Sequence, residues 1–229
     1  MNMKIVCTAV LFICSYFSYA QQPHNLTGVY LHTGSAYNTL WLIQDQYLSQ
    51  IQYNPHSYIS TQGGPFSLSG NQLRYNIEYF DAVPDSVGLQ KTEILQVKDG
   101  ELWVNGKVFI KQKAKSQDLD GLWRITGRMT TENKIDEIPR GDRRTVKILV
   151  DGFFQWIAIN PASKGFYGTG GGTYTLQNGK YTEKVLFFSR DNSRIGATLG
   201  FNGEIKNDKW HHSGFSSKGD PIYEVWSRD

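Results

Sequence analysis

The sequence predicts an all-β protein built as two small antiparallel up-and-down barrels in tandem. Three observations carry this reading. Short runs rich in Val, Ile, Thr, Tyr, Phe and Trp alternate apolar with polar residues and end in turn residues, as half-buried strands do. No stretch sustains a helical apolar period. The chain also repeats itself. Leu26-Thr27-Gly28-Val29-Tyr30 matches Leu119-Asp120-Gly121-Leu122-Trp123, Asp45 matches Asp151, Ile51 matches Ile157, and Asn54-Pro55 matches Asn160-Pro161. After a short slip, Thr61, Gly63, Gly64 and Leu68 match Thr169, Gly171, Gly172 and Leu176, and Phe80 and Gly88 match Phe188 and Gly196. Consecutive hairpins in units of this size close most simply into barrels, which removes exposed strand edges.

The elements follow in chain order. Residues 1–20 read as a secretory signal peptide: Lys4 gives a positive start, an apolar run follows, and Ser18-Tyr19-Ala20 places small residues before a cut at Gln21. The apolar run is shorter than the ~20 residues that span a bilayer. Neither Cys7, after Val6, nor Cys14, after Ile13, sits in a lipoprotein anchor motif. Both cysteines fall in this segment, so a processed chain would hold no thiol, and its expected compartment is the periplasm or the cell exterior. The first unit spans 22–113, a polar linker runs from Lys111 to Asp118, and the second unit spans 117–229. In the second unit the expected strands are 122–128, 145–150, 153–159, 172–177, 181–189, 194–202, 209–215 and 221–227. Asp151-Gly152, Asn160-Pro161, Asn178-Gly179 and Asn207-Asp208 mark turns between them.

Composition removes several function classes. Among 229 residues, 20% charged and 14% aromatic content is too little charge and too many rings for a disordered chain. A net charge of +3 gives no basic footprint for nucleic acid. No later segment approaches ~18 consecutive apolar residues, so no transmembrane helix is expected.

Gly121-Leu122-Trp123 on the first strand of the second unit resembles the Gly-x-Trp opening of lipocalins. In that superfamily an arginine near the last strand packs across the tryptophan and closes the base of the barrel, and Arg228 stands in the matching place after Tyr223-Glu224-Val225-Trp226. Gly121, Trp123 and Arg228 are therefore the structural residues that the resemblance implies. The first unit departs, with Tyr30 for the tryptophan and Lys111 or Lys113 for the arginine. The whole pattern, including Gly168-Thr169-Gly170-Gly171-Gly172-Thr173-Tyr174-Thr175, is similar to secreted lipocalin-like domains of unknown function from Bacteroides-type bacteria.

The two copies serve as an internal comparison of faces. Phe153, Ile157 and Ile159 pair with Tyr47, Ile51 and Tyr53 on one face, which is expected to point into the barrel, and Gln155 with its counterpart Ser49 shares it. Trp156, on the opposite face, is then an exposed apolar spot or an interface between the units. Tyr181, Glu183, Val185 and Phe187 pair with Leu73, Tyr75, Ile77 and Tyr79, so Glu183 is a carboxylate on an inward apolar face that needs a donor or a raised pKa. His212 pairs with Val104 and points inward, while His211 pairs with Trp103 and points out.

Other chemistry is thin. Adjacent histidines on a strand face opposite ways, so His211 and His212 do not chelate one ion, and no metal or cofactor is expected. The Gly168–Gly172 run is followed by a strand rather than a helix, so a tight turn or bulge is expected there instead of a phosphate loop. No Gly-x-Ser-x-Gly elbow is present. The turns Arg140–Arg144 and Arg190–Arg194 are solvated surface or a rim that attracts an anion.

The leading function is a secreted or periplasmic binding protein for a small, partly apolar ligand held in a barrel calyx, with Tyr174, Glu183 and His212 as pocket residues and Gln155 as support. An alternative is a non-enzymatic envelope interaction or scaffold module with filled barrels, making contact through the Trp156 face. A small acid–base enzyme using Glu183 and His212 is the third reading.

Overall fold

A computed structural model describes residues 25–98, 101–130, 132, 134–216 and 219–229. The segment read as a signal peptide lies outside these residues. The first unit consists of β1 (Gly28–Thr33), β2 (Asn38–Gln44), β3 (Tyr47–Asn54), β4 (Ser57–Ser69), β5 (Gln72–Asn76), β6 (Tyr79–Phe80), β7 (Gln90–Lys98), β8 (Glu101–Val104) and β9 (Lys107–Lys111). The second consists of β10 (Gly121–Met129), β11 (Ile135–Glu137), β12 (Arg144–Val150), β13 (Phe153–Asn160), β14 (Gly165–Gln177), β15 (Lys180–Phe188), β16 (Thr198–Lys206), β17 (Lys209–Phe215) and β18 (Pro221–Arg228). Each unit closes into an eight-stranded antiparallel barrel, by β1 pairing with β9 in the first and β10 with β18 in the second. The short strands β6 and β11 attach to β4 and β10 as side additions.

Turn chemistry sets the hairpins. Asp45-Gln46, Asn105-Gly106, Asp151-Gly152, Asn178-Gly179 and Asn207-Asp208 each place both residues at positive φ, as the twist of a two-residue hairpin requires. β16 begins at Thr198 rather than 194 because Asn192–Arg194 form a 3₁₀ turn that Asp191 caps. The glycine run forms no turn. It lies within β14, with a register shift between Gly171 and Gly172, so the bulge is present inside a strand longer than expected. A Cβ at Gly171 would overlap Phe154 O and the Phe187 ring, and one at Gly172 would overlap Lys184 O. Close packing therefore demands these glycines.

The inward assignment of the face carrying Phe153, Ile157 and Ile159 is overturned. Ile157 and Ile159, with Phe153 at the margin, pack with Tyr47, Ile51 and Tyr53 in a core between the two barrels. Leu40 and Leu42 from β2 and Val146 and Ile148 from β12 join it. Gln155 lies at its centre, not in a calyx. It accepts a hydrogen bond from Ser49 Oγ and donates from Nε2 to Thr61 Oγ1 at 3.1 Å and Thr169 Oγ1 at 3.0 Å. Phe187 and its counterpart Tyr79 also belong here, because the bulge opposite Gly171 and Gly172 turns Phe187 out of the second barrel. Trp156 is neither an exposed spot nor the interface. It packs inside the second barrel, edge-on to Phe188 with ring centres 5.7 Å apart. The physical reason is that β3 and β13 bury both faces, so apolar alternation does not say which one faces the axis.

At the margin of the shared core, Asp45 Oδ2 accepts from Leu122 N at 2.9 Å, and Arg144 pairs with Glu78 at 2.6 Å. The first barrel's own interior holds Trp41, Leu73, Tyr75, Leu102, Val104 and Phe109, and the second's holds Trp123, Phe154, Tyr174, Tyr181, Trp210 and Trp226.

Candidate functional site

The base of the second barrel is closed by its own side chains. Arg228 lies across Trp123, with Cζ 4.2 Å from the ring centre, and donates to the carbonyls of Asp118 (3.3 Å) and Asp120. Gly121, at φ +150°, leaves the space that Arg228 occupies. Trp123 Nε1 donates to Leu119 O at 2.8 Å. Tyr174, a pocket candidate from the sequence, is buried with its ring 5.6 Å from that of Tyr181, and its hydroxyl donates to Asp120 Oδ1 at 2.6 Å. Burial, then this contact with Asp120, raises its pKa. In the first barrel Lys111 takes the arginine's part, with Nζ 5.6 Å from the Tyr30 ring centre.

Above the base lies a charged interior. Lys147 on β12 and Glu183 on β15 form an ion pair at 2.9 Å with side chains only 5% and 8% exposed. Glu183 thus points inward and finds its donor. The Lys147 ammonium is caged by aromatic rings: Trp210 at 5.0 Å, Tyr181 at 5.1 Å, Phe154 at 5.4 Å and Trp226 at 5.5 Å. Such a cage offsets part of the desolvation of the cation. Burial, then the Glu183 charge, raises the Tyr181 phenol well above its usual value.

His212 also points inward and is buried among Phe201, Trp210 and Tyr181, with ring centres at 4.4, 5.2 and 5.5 Å. Its Nδ1 lies 3.4 Å from Glu224 Oε2, which also accepts from Trp226 Nε1 at 3.2 Å, while Arg128 pairs with Glu224 Oε1 at 3.0 Å. Burial lowers the His212 pKa below its usual value against the opposing pull of Glu224. Burial pushes the Glu224 carboxyl up, but the hydrogen bond and charge of His212 and the charges of Arg128 and Lys147 prevail and hold it at about 2. Two contacting rings each carry a buried polar atom with no hydrogen-bond partner, Trp210 Nε1 and His212 Nε2, and the Tyr181 hydroxyl beside them meets the Glu183 carboxylate.

The structure therefore brings Glu183 and His212 into one interior with Tyr174 beside them, and it separates Gln155 from them. Each of the pair has its own counterpart, Lys147 for Glu183 and Glu224 for His212. Sequence reasoning missed Lys147, Glu224 and Arg128. The available signal was Lys147 itself, a lone cation within the run Val146–Val150 where the sister strand has Trp41.

Toward the other end, Ile138, Trp156, Leu199 and Ile222 are half-buried against the interior cluster, and Phe188 lies beside Trp156. Among the described residues no group of three or more His, Cys, Asp or Glu side chains is placed to hold a metal ion, and no helix is long and apolar enough to cross a membrane. A scan against models of protein families found none that matches the chain, and a search among curated proteins found no match.

Proposed function

We propose that the protein is a secreted or periplasmic, non-enzymatic, lipocalin-like binding protein whose second barrel receives a small, partly apolar ligand. One observation carries the proposal. Trp210 Nε1 and His212 Nε2 are buried and unpartnered beside a caged ion pair whose Glu183 carboxylate the Tyr181 hydroxyl meets, where the sister barrel has Leu102, Val104 and Leu73. A buried unpaired polar group costs ~1–3 kcal/mol, and the sister barrel closes without any at these positions. The sister barrel's interior carries such an atom in Tyr75 OH, whereas the second barrel gathers two of them in touching rings, as a binding site needs. The half-buried apolar ring of Ile138, Trp156, Leu199 and Ile222 supplies a greasy entrance above it.

The filled-barrel scaffold is the second reading, favoured by the complete burial of Trp123, Trp210, Tyr181 and Phe154. An acid–base enzyme is weaker, because Glu183 and His212 are each committed to a separate counterpart. Thermal-shift and native mass spectrometry screening against small amphipathic compounds tests the proposal. A bound compound at about 100 times its Kd should stabilise the protein by ~2.7 kcal/mol, and Tyr181→Phe should weaken it. A library without a single stabilising compound leaves the scaffold reading in its place.

A further inference from the structure

Two guanidinium groups meet at one residue on the rim of the second barrel. Tyr167, on β14, is 39% exposed. Arg143, just before β12, stacks on its ring with Cζ 4.4 Å from the centre. Arg190, just after β15, donates from Nε to Tyr167 O at 3.0 Å and from Nη2 to the same oxygen. The Arg190 Cζ also lies 5.7 Å from the centre of the Trp156 ring, which in turn meets Phe188 edge-on. Gly168 makes this arrangement feasible, since a Cβ there would come within 2.6 Å of Arg190 Nε.

The other cations of these two turns are neutralised. Arg140 pairs with Asp229, Arg144 with Glu78 at 2.6 Å, and Arg194 with Asp191 at 3.5 Å. Among the described residues Arg143 and Arg190 make no ion pair, and Asp142 is the acidic side chain of these turns that pairs with neither. Guanidinium groups bind carboxylates through paired N–H donors, and each of these two keeps donors free while a ring or carbonyl fixes its position. Beside them, Trp156, Phe188 and Tyr167 offer aromatic faces and edges.

We propose that this rim is the anion-recognising part of the ligand site, and that the ligand is an aryl carboxylate: its ring lies against Trp156 and Phe188, and its carboxylate lies between Arg143 and Arg190. The inference rests on the binding reading above and adds the class of ligand. It is tested on the full chain by isothermal titration calorimetry with 1-naphthoate and its uncharged analogue 1-naphthalenemethanol. Naphthoate should bind at least about tenfold more tightly than the alcohol, with an affinity that falls as salt rises. Arg143→Gln with Arg190→Gln should bring the two affinities within about twofold and leave the unfolding midpoint near that of the wild type, as expected for exposed charges. Equal binding of acid and alcohol to the wild type, or a naphthoate affinity unchanged in a folded double variant, overturns the anion site and leaves the binding reading standing. Binding of neither compound overturns the aryl carboxylate, whereas the binding reading falls only when the wider amphipathic library also stabilises nothing.

Discussion

At six interior positions where the first barrel carries Trp41, Leu73, Tyr75, Leu102, Val104 and Phe109, the register of the second places Lys147, Tyr181, Glu183, Trp210, His212 and Trp226. The two share a chain path, a hairpin scheme and a cation across the first-strand aromatic, so the difference between their interiors is not a requirement of the fold. The first barrel's filling is largely apolar, with Tyr75 OH a buried polar exception. Its own buried carboxylate, Glu93, reaches Lys91 at 2.9 Å, and that lysine is 42% exposed, so the pair stays near solvent. The second barrel instead takes an ion pair and an imidazole fully inside, at a cost in desolvation that packing alone would not incur. The two bases differ too: Gln117 plugs the second by bonding Tyr174 O at 3.1 Å and Leu176 N at 2.6 Å, whereas an open groove of about 260 Å³ lies beside Leu26, Leu68, Leu95 and Val97 of the first.

The largest effect is expected from breaking the caged pair. Lys147→Met leaves Glu183 buried without a cation and should destabilise the protein by ~3–5 kcal/mol, while Lys147→Met with Glu183→Leu should recover most of that loss. Urea unfolding followed by tryptophan fluorescence reads this. A double variant as unstable as the single one would show that the pair is needed for packing rather than tolerated for function.

Acidification should separate the barrels next. The Glu224 pKa is lowered in the folded state, so its contribution of up to about 3 kcal/mol is present above the unfolded value near 4.5 and is lost as pH falls toward about 2. His212, whose folded pKa also lies below its unfolded value, adds a loss that begins as pH drops below about 6.5, because the unfolded chain takes up that proton first. Val104 and Lys107 stand at the matching places in the first barrel. His212→Val should therefore flatten the upper part of the acid limb in a plot of urea midpoint against pH, and an unchanged limb would remove His212 from the account.

A smaller change is expected between the barrels. Gln155→Leu takes a partner from Ser49, Thr61 and Thr169 in a buried core and should cost ~1–3 kcal/mol. Its signature is a less cooperative thermal transition, measurable by calorimetry as a calorimetric enthalpy exceeding the van't Hoff value. The smallest expected difference is at the two bases. Arg228→Ala should cost ~1–2 kcal/mol and Lys111→Ala roughly half as much, since the guanidinium stacks closer to its ring and holds two carbonyls. Equal losses would mean that the aromatic contact contributes little.

Much of the architecture was legible because its signals are local or repeated. Asn and Asp at hairpin corners, the alternation of Tyr181, Glu183 and Val185, and the matched blocks around Gly28 and Gly121 all act over a few residues or recur at a fixed spacing. The inward placement of Glu183 and His212 followed from the same alternation. Tyr174 was found as an interior residue, but its hydroxyl is held by Asp120 at the base. Gln155 was misplaced because β13 has Phe154 and Trp156 on one side and Ile157 and Ile159 on the other, and a strand buried on both faces gives no polar side to orient it.

The sequence by itself therefore determined two copies of one β unit and their turns, since period-two alternation and turn conformation are properties of neighbouring residues. The resemblance singled out Trp123 and Arg228 and left Lys111 or Lys113 open at the other base. Only the tertiary structure decided which face of β3 and β13 looks at the sister barrel, that Lys147 answers Glu183 and Glu224 answers His212, and that Arg143 and Arg190 meet at Tyr167. Those pairings join strands far apart in the chain, and barrel closure and the packing of one barrel on the other select them. No local pattern encodes either.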